Sequence, residues 1–314
     1  MELVRLDSLP SAGDASSAVT LGNFDGVHRG HQALVAEVVE WARGAAAAAV
    51  VLTFDPHPAR VLNPASAKSA LMTLDQKAEV LAALGVGRLA VLPFTESVAR
   101  LSAEAFARRV LREALGAARV VVGPDFRFGR GRTGNVDTLA KLGESLGFEV
   151  SRTPPLLQDG IVISSSRIRD SLACGDVAKA RALLGRPFYV DGVIVAGDGR
   201  GRSLGFPTAN VAPRNETLPL LGVYACRVRL GGRASSWVSS WPAVANLGQR
   251  PTFGGGEAVL EAHLLDFEGD LYGNEVRVEF AERLRAERAF PGPAALLEQI
   301  RRDAEAARRV LEKV

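Results

Sequence analysis

The fold of the first half of the chain is decided by the stretch Val19-Thr20-Leu21-Gly22-Asn23-Phe24-Asp25-Gly26-Val27-His28-Arg29-Gly30-His31. An apolar strand leads here into a turn rich in glycine, and residues 32–41 then follow a helical pattern. Glycine lets the backbone turn sharply and approach a ligand closely. The free N–H groups at the start of a helix form a ready site for an anion. This order predicts a strand, a ligand-binding turn and a helix.

Two of the four histidines of the chain, His28 and His31, lie in this turn, three residues apart. Beside a helix N-terminus, two imidazoles are suited to stabilise charge on a phosphoryl or nucleotidyl group. Imidazole is also a common metal ligand, and the same residues fit an ordinary helix start after a glycine-rich loop. No cysteine or further histidine lies nearby, and two histidines at this spacing are not by themselves a specific metal signal.

The composition indicates a soluble protein of two ordinary domains. The chain has 314 residues, of which 47% are hydrophobic and 23% charged, and its net charge is only +3. Cys174 and Cys226 are distant in sequence, which favours reduced thiols in the cytoplasm over a disulfide. Residues 1–10 contain no apolar signal segment, and the longest apolar run, 45–54, is too short to cross a bilayer.

Short apolar runs alternate with helical patterns over the first half of the chain. This alternation predicts a doubly wound α/β sheet, in which ligands bind beyond the carboxyl ends of the strands. The predicted strands are Val19–Leu21, Ala48–Thr53, Leu89–Leu92 and Val120–Val122. The predicted helices are Gln32–Arg43, Asp75–Leu84, Ala103–Leu115 and Thr138–Leu146.

The second half of the chain has a different pattern, which begins after a boundary at Gly185-Arg186-Pro187. Several short strands separated by turns, followed by one amphipathic helix over Ala294–Val314, predict a small β-barrel with a helix packed on it. We therefore expect domains at 1–184 and 185–314. The predicted strands of the barrel are Phe188–Val195, Val223–Leu230, Ala243–Leu247, Val259–Leu265 and Glu275–Phe280.

Three further segments of the first half carry chemically suited residues. Thr53-Phe54-Asp55-Pro56-His57-Pro58 can hold an aromatic ring against a flat ligand, or it is a plain proline-rich turn. Residues 120–129 include Asp125-Phe126-Arg127-Phe128, which could contact a ligand but also fits an ordinary loop that carries polar and aromatic side chains. Ile163-Ser164-Ser165-Ser166-Arg167-Ile168-Arg169 opens a helix, where hydroxyls either cap the helix or bind phosphate together with an arginine.

The second half has a glycine-rich loop and a carboxylate on a strand. The segment from Gly192 to Asn210 contains glycines whose backbone amides can surround a phosphate group. It lacks the Lys-Ser/Thr ending of a Walker A loop, and the alternative interpretation is a glycine-rich hairpin. Thr208 and Asn210 offer hard oxygen ligands of the kind that Mg²⁺ prefers. Glu261 and His263 alternate on a predicted strand and share one face, where the carboxylate can accept a proton from a hydroxyl nucleophile. Two further segments of this half belong to the same set of motifs: Asn246-Leu247-Gly248-Gln249-Arg250-Pro251-Thr252-Phe253 and Asp270-Leu271-Tyr272-Gly273.

The order of these motifs resembles the bacterial bifunctional riboflavin kinase/FAD synthetase family. Residues from about 15 to 182 are similar to the FAD synthetase module, and residues from about 183 to 310 to the riboflavin kinase module. The resemblance implies a doubly wound nucleotidyltransferase-like domain of the HxGH type, followed by a riboflavin-kinase-like β-barrel with a C-terminal helix. It also implies an enzyme that phosphorylates riboflavin to FMN and adenylylates FMN to FAD, each with ATP, and that releases pyrophosphate in the second reaction.

The resemblance assigns roles to individual residues. Catalysis falls to His28, His31 and Glu261, and metal binding to Thr208 and Asn210. The residues implied for ATP or phosphate are Gly22, Asn23, Phe24, Asp25, Gly30, Ser164, Ser165, Arg167, Gly197, Gly199, Gly201, Gly205 and Asn246. The residues implied for flavin are Phe54, Pro56, Asp125, Phe126, Phe128, Arg285 and Phe290. The chain departs from the family at Ser166, which replaces a threonine, and at position 125 the family varies between asparagine and a carboxylate.

The expected cofactor is Mg²⁺, with ATP, riboflavin, FMN and FAD as substrates and products. We expect no nucleic acid or membrane partner, and at most weak association into a homo-oligomer. Two alternatives remain at this stage: an adenylyltransferase whose barrel only binds flavin, and a nucleic-acid-binding protein. The first would be expected to lack Thr208, Asn210 or Glu261. The second requires a basic stripe with stacking aromatics, whereas the barrel strands carry mixed charge with few aromatics.

Overall fold

The computed structural model describes residues 1–7, 16–196, 206–232, 236–250 and 257–313. The chain folds into two compact units. The first unit comprises Met1–Ser69 and Leu74–Ser164, and the second comprises Ala70–Thr73 and Ser165–Val314. The cysteines are free, Cys174 exposed and Cys226 buried, as the sequence predicts.

A parallel sheet forms the centre of the first unit. Its strands in the described residues are β1 (Glu2–Arg5), β2 (Ser17–Leu21), β3 (Ala48–Phe54), β4 (Arg88–Leu92), β5 (Ala117–Val122) and β6 (Glu149–Arg152). They lie in the order β1-β4-β3-β2-β5-β6, and neighbouring strands run parallel. The chain proceeds from β2 outward through β3 and β4, then returns to β5 on the other side of β2. The strand order therefore reverses beside β2, where a doubly wound sheet binds its ligand.

Helices connect these strands and cover both faces of the sheet. They are α1 (Arg29–Gly44), α2 (Pro58–Leu62), α3 (Leu74–Ala83), α4 (Glu96–Ala99), α5 (Ala103–Phe106) and α6 (Val136–Leu146). The segment Ala107–Ala114, predicted as part of an ordinary helix, continues α5 as a π-helix. A short hairpin, β7 (Leu157–Gln158) with β8 (Ile161–Val162), follows β6.

The apolar residues of the sheet divide between its two faces. Val19 and Leu21 lie in the larger core, together with Val110 and Leu111 of the π-helical segment. Ala18, which directly precedes Val19, belongs instead to the core beneath α1. Alternate residues of a strand point to opposite faces, so each central strand must be apolar throughout. This requirement explains why the four central strands were predicted and the more polar edge strands β1 and β6 were not.

The second unit contains a closed barrel. In its described residues the strands are β9 (Phe188–Val195), β10 (Ala209–Pro213), β11 (Gly222–Gly232), β12 (Ser236–Arg250), β13 (Glu257–Leu264) and β14 (Glu275–Arg285). They pair antiparallel in the order β10-β13-β12-β11-β14-β9, and β9 closes the barrel on β10. The predicted barrel is confirmed, although β10 was not predicted as a strand and β12 and β14 extend beyond their predicted ends.

The C-terminal helix, Pro293–Leu311, packs on the outside of the barrel. Ala307 and Leu311 of the helix lie against Ala225 and Ala281 of the barrel. The guanidinium of Arg227 donates to the carbonyl of Leu311 at 2.8 Å, which satisfies a carbonyl at the end of the helix. Two more helices, α7 (Ser165–Ala173) and α8 (Val177–Leu184), precede the barrel in the second unit.

Candidate active sites

The turn between β2 and α1 holds an unusual backbone conformation. Phe24 and Val27 have φ angles of 46° and 38°, and Gly26 has a φ of 83°. Non-glycine residues rarely adopt such angles, and they keep them only where the surroundings impose the conformation. Phe24 is 1% exposed and Val27 0% exposed, so their buried side chains anchor the turn.

His28 and His31 stack on each other at the start of α1. Their ring centroids are 3.6 Å apart and their planes are 15° apart. His28 is the N-cap of the helix, and its Nδ1 accepts a hydrogen bond from the backbone N–H of His31 at 3.3 Å. Because Nδ1 is an acceptor, the proton of the neutral ring is on Nε2. His28 can therefore donate only through Nε2.

The pKa of His31 is held well below its usual value, first by burial and then by the charges of His28 and Lys77. The ring is consequently neutral at pH 7, because burial and neighbouring positive charge both disfavour its protonated form. Its Nδ1 is buried and has no hydrogen-bond partner within the described part of the chain. A neutral ring can still donate through one nitrogen, so His31 can contribute a hydrogen bond without a full positive charge.

The segment before α7 lies close to Gly30 and the two histidines. A Cβ on Gly30 would lie 3.2 Å from Cε1 and Nδ1 of His28 and 3.7 Å from the carbonyl oxygen of Ile163. Ser164, the next residue after Ile163, is the last residue of the first unit, and Ser165 begins α7 in the second. Position 30 is therefore enclosed on two sides, which explains why no side chain is present there.

The ends of β3 and β5 carry the aromatic residues predicted from the sequence. Phe54 meets Phe94 edge to face, with centroids 5.6 Å apart. Phe126 and Phe128 stack with centroids 5.5 Å apart, and Phe128 is buried in the core. Both segments follow the carboxyl ends of strands that flank β2, so they share one edge of the sheet with the histidines.

The other predicted residues of these two segments differ in exposure. Asp125 and Pro56 are exposed, and the peptide bond between Asp55 and Pro56 is cis. Arg127 is also exposed and donates to the carbonyl of Phe126 at 3.1 Å. The exposed polar groups therefore surround a partly covered aromatic surface, which suits a flat ligand with a charged substituent.

Lys77 is a residue of this site that the sequence analysis missed. Its side chain extends from α3 beneath the turn, and the residue is 9% exposed. The ammonium donates to the carbonyl oxygen of Asn23 at 2.8 Å and to the hydroxyl of Thr53 at 3.1 Å. The signal that could have revealed it is a lysine on the buried side of a predicted helix, because lysine is rarely buried without partners.

In the barrel, strand pairing sets four of the predicted residues in one row. Glu261 of β13 lies directly opposite Asn210 of β10 on one side and Asn246 of β12 on the other. Val223 of β11 continues the row, opposite Asn246 and next to Arg285 of β14. Paired residues on neighbouring strands project to the same face, so the carboxylate of Glu261 stands between two amides.

A cavity of about 320 Å³ opens beside this row. Glu261, Asn246 and Arg285 line it together with Phe206, and Phe290 and Leu296 add apolar surface from the side of the C-terminal helix. Its mixture of apolar walls and a few polar groups is typical of a site for a small molecule.

Asp303 of the C-terminal helix holds Arg285 in the wall of this cavity. The Nε and Nη2 atoms of Arg285 donate to the Asp303 carboxylate at 2.8–3.1 Å. Gln299 donates to the same carboxylate at 2.7 Å. Asp303 is 5% exposed, and the guanidinium lies 5.6 Å from the ring centre of Phe290. The sequence analysis identified Arg285 and Phe290 but not the buried acid that orients the arginine.

A second cavity, of about 500 Å³, lies on the other side of Thr208. Thr208 lines both cavities, while Asn210, Phe267 and Tyr272 line only the second. His263 contacts the carbonyl oxygen of Pro207 at 2.8 Å through its Nδ1 and meets the ring of Phe206 edge to face. Thr208 therefore lies between two neighbouring cavities.

Comparisons with known proteins agree with this arrangement. The FAD synthetase family model matches residues 11–167, and the riboflavin kinase model matches residues 184–311. The bifunctional riboflavin kinase/FMN adenylyltransferase of Pseudomonas fluorescens is 42% identical over 290 residues, which are 92% of this chain and 91% of that protein. The protein of the same description from Escherichia coli (strain K12) is 39% identical, over 98% of this chain and 97% of its own length.

The chain belongs to the bifunctional riboflavin kinase/FAD synthetase family. Membership confirms the resemblance, the fold class and the two predicted transferase activities, which make FMN from riboflavin and FAD from FMN. The kinase activity excludes the alternative of a barrel that only binds flavin.

A crystal structure described as that of a macrolide-efflux protein from Streptococcus pneumoniae has the same fold. Its TM-score is 0.90 at 31% identity, and the match covers 98% of this chain and 99% of that one. The part of our chain that the structure describes has no helix long and apolar enough to cross a membrane. The likeness to this structure supports the fold of the family and gives no reason to extend the other protein's description to this chain.

The residues implied for Mg²⁺ in this family fit a hard cation. Asn210 Oδ1 is buried and has no hydrogen-bond partner among the residues described, so it is free to act as a ligand. The hydroxyl of Thr208 is the second oxygen of the predicted pair, and Mg²⁺ binds oxygen ligands. Gly197, Gly199, Gly201 and Gly205, predicted to bind phosphate, lie outside the described residues.

Proposed function

We propose that the turn with the stacked histidines carries out adenylyl transfer, and that the row around Glu261 carries out riboflavin phosphorylation. The observation that carries the first assignment is the stack of His28 and His31 at the N-terminus of α1. The second rests on Glu261 between Asn210 and Asn246, beside a cavity.

In adenylyl transfer, a phosphate oxygen of FMN attacks the α-phosphorus of ATP. A new phosphorus–oxygen bond forms, and the bond to the bridging oxygen breaks as pyrophosphate leaves. Because the nucleophile is already an anion, the reaction needs positioning and charge stabilisation more than a base. His28 and His31 stabilise the charge that develops on the α-phosphate. Ser164, Ser165 and Arg167 hold the outer phosphates.

The turn and the aromatic segments bind the two substrates. Gly22, Asn23, Phe24 and Asp25 form the wall against the nucleotide, at the reversal of strand order where such sheets bind ligands. The flavin lies at the ends of β3 and β5, near Phe54, Pro56, Asp125 and Phe126. Phe128 supports Phe126 from the core, because it is only 6% exposed and stacks beneath it.

In riboflavin phosphorylation, the 5′-hydroxyl oxygen attacks the γ-phosphorus of ATP and ADP leaves. Glu261 accepts the hydroxyl proton as the oxygen–phosphorus bond forms. Arg285 and Phe290 border the flavin ring, and Asn246 and the glycines from 197 to 205 bind ATP and its phosphates. Mg²⁺ held by Thr208 and Asn210 would neutralise phosphate charge. Positioning of the substrates by the protein supplies most of the remaining rate enhancement.

A chromatographic time course of riboflavin, ATP and Mg²⁺ tests both assignments in one chain. We expect the wild type to form FMN and then FAD, His28→Ala to accumulate FMN without FAD, and Glu261→Ala to form almost no product. Glu261→Ala should still convert added FMN to FAD. If Glu261→Ala phosphorylates riboflavin normally, or if His28→Ala makes FAD normally, the corresponding assignment is wrong.

We further propose that the boundary of the functional modules lies between residues 184 and 185, as the start of the riboflavin kinase match at 184 supports, whereas the compact units divide between Ser164 and Ser165. We place the protein in the cytoplasm, without nucleic acid and with at most weak self-association. The net charge of +3 and the free cysteines support this proposal. Sedimentation at several concentrations, and binding to labelled RNA or DNA at several salt concentrations, would test it.

A further inference from the structure

We propose that Lys77 is a positioning residue for adenylyl transfer: its buried ammonium fastens the nucleotide-binding turn to the end of β3. The inference rests on the proposed assignment of adenylyl transfer to the histidine turn. It goes beyond that assignment because Lys77 belongs to none of the motifs that define the turn.

Three polar groups form a closed set of hydrogen bonds beneath the turn. The ammonium of Lys77 donates to the carbonyl oxygen of Asn23 at 2.8 Å and to the hydroxyl of Thr53 at 3.1 Å. The hydroxyl of Thr53 in turn donates to the same carbonyl at 3.2 Å. A charged donor makes stronger hydrogen bonds than a neutral one, so Lys77 is the principal tie between the two loops.

The hydrogen bonds of Lys77 hold the start of the turn and so determine the positions of the two histidines. Asn23 is followed at once by Phe24, whose φ of 46° starts the unusual conformation of the turn. Such a conformation persists only when neighbouring groups impose it. Removal of the ammonium takes a charged hydrogen bond away from the carbonyl of Asn23, so the turn can relax. A shift of about 1 Å in a catalytic group can lower a rate roughly a hundredfold.

Lys77 influences the site through its charge as well as through its hydrogen bonds. The carboxylates of Asp25, from the turn, and Asp55, from the end of β3, face the ammonium and favour its charged form. His31 of α1 faces it too, and the charge of Lys77 helps to keep that imidazole neutral. On α3 itself, Asp75 and Glu79 are two residues away, where side chains on a helix do not face each other.

Burial nevertheless lowers the pKa of Lys77 to about 8, so its charge is lost within an accessible range of pH. Below this pKa the ammonium is present and the turn is fastened. Above it the amine is neutral, the tie to Asn23 weakens, and the positive charge near the phosphates disappears. Adenylyl transfer should therefore decline as the pH rises through about 8, whereas an ordinary lysine would remain charged to about 10.

The experiment compares Lys77→Met and Lys77→Arg in the full-length protein, with Lys141→Met as the matched control. Lys141 is an exposed lysine on α6 of the same unit. For each variant we would measure FAD synthesis from FMN and FMN synthesis from riboflavin, from pH 6.5 to 9.5. The kinase reaction reports on the second unit in the same sample, and a thermal melt of each variant shows whether the first unit is folded.

We expect Lys77→Met to lower kcat for FAD synthesis roughly 30- to 100-fold, the range for a displaced catalytic group. Its rate should no longer decline above pH 8, and its kinase rate should stay near the wild-type value. Lys77→Arg keeps a charge throughout this range, so it should recover part of the rate and also lose the alkaline decline. Lys141→Met should behave as the wild type.

Other results would overturn the inference. It fails if Lys77→Met retains the wild-type rate, or if the alkaline decline persists in Lys77→Arg. If Lys77→Met does not fold, Thr53→Val decides, because it removes one acceptor of the ammonium and keeps the lysine. We then expect a severalfold lower kcat, and an unchanged kcat would refute the tie. If His28→Ala also leaves FAD synthesis intact, the proposed site itself is wrong, and not only the role of Lys77.

Discussion

The imidazole rings of His28 and His31 stack with their centroids 3.6 Å apart, and the backbone N–H of His31 donates to Nδ1 of His28. One side chain thus caps the helix and orients the other. Because Nδ1 accepts this hydrogen bond, the proton of a neutral His28 ring is on Nε2. Capping and catalysis can therefore be separated by substitution.

His28→Asn tests that separation. Asparagine is a good N-cap, so the helix should keep its acceptor for the His31 N–H, and stability should change little. The imidazole donor is lost, so we expect kcat for FMN adenylylation to fall about a hundredfold, as when one preorganised donor is removed. Chromatographic rates for FAD and FMN formation measure the effect. An adenylylation rate within threefold of the wild type would contradict the role of the ring.

The lowered pKa of His31 predicts how stability depends on pH. The unfolded chain binds a proton near the ordinary histidine pKa of about 6.5, while the folded protein binds it only at a lower pH. Below about pH 6.5 the unfolded state therefore binds more protons, and acid reduces the free energy of unfolding. In His31→Gln this contribution is absent. Thermal melts at pH 8 and pH 5 should show a smaller acid-induced drop in Tm for His31→Gln than for the wild type.

The control for this measurement is His57→Gln, which removes an exposed imidazole from the same unit. We expect its drop in Tm to resemble that of the wild type. An equal drop in His31→Gln and the wild type would show that burial of His31 does not influence stability in this range.

Gly30→Ala tests how closely the helix start is packed. The added methyl group would lie 3.2 Å from the His28 ring, which must tilt to accommodate it. We expect kcat for FAD synthesis to fall about tenfold, because small displacements of a catalytic group are costly. Gly44→Ala on the same helix is the control, since a Cβ there meets nothing within 4 Å. Equal rates for the two variants would show that the ring tolerates the methyl group.

Glu261→Gln tests the row in the barrel with little change in shape. The amide cannot accept the hydroxyl proton, so riboflavin phosphorylation should fall about a hundredfold or more. FAD synthesis from added FMN should remain unchanged. Glu282→Gln, on the exposed surface of β14, controls for the loss of a carboxylate from the barrel. A kinase rate in Glu261→Gln equal to that of the control would rule out proton transfer to Glu261.

The ion pair of Arg285 with Asp303 should matter for stability and for flavin binding. Asp303→Ala leaves a largely buried guanidinium without its partner, which costs about 3–5 kcal/mol. We expect a lower Tm and a higher KM for riboflavin, because Arg285 is no longer held in the cavity wall. The double variant Arg285→Met with Asp303→Leu removes both charges and should regain much of the Tm but not the KM. If Asp303→Ala keeps the wild-type Tm and the wild-type KM for riboflavin, the ion pair does not hold Arg285 in place.

The local signals in the sequence were sufficient for the central elements. The strands β2 to β5 are buried on both faces, so they must be apolar throughout and are recognisable without their neighbours. The glycine-rich turn and the hydroxyls before α7 are recognisable for the same reason, because their chemistry is contained in a few consecutive residues. The edge strands β1 and β6 lack this apolar character and were missed.

Residues that act through distant partners could not be predicted in this way. Lys77 is 54 positions from Asn23, and Asp303 is 18 from Arg285, and neither pair shows any pattern in the sequence. The alternation of Glu261 and His263 predicted a shared face, but not that Asn210 and Asn246 would flank the carboxylate. That arrangement depends on the register of three strands, and a shift of one residue would reverse every face.

The sequence by itself determined the two kinds of fold, the family and the residues that carry local chemistry, because periodicity and turn chemistry act over short distances. Which of these residues lie together, and which buried charges lie next to the candidate sites, became visible in the folded chain alone. The physical reason is that burial and strand register arise from packing between distant segments. The pKa values of His31 and Lys77 follow from that packing, and no short stretch of sequence contains it.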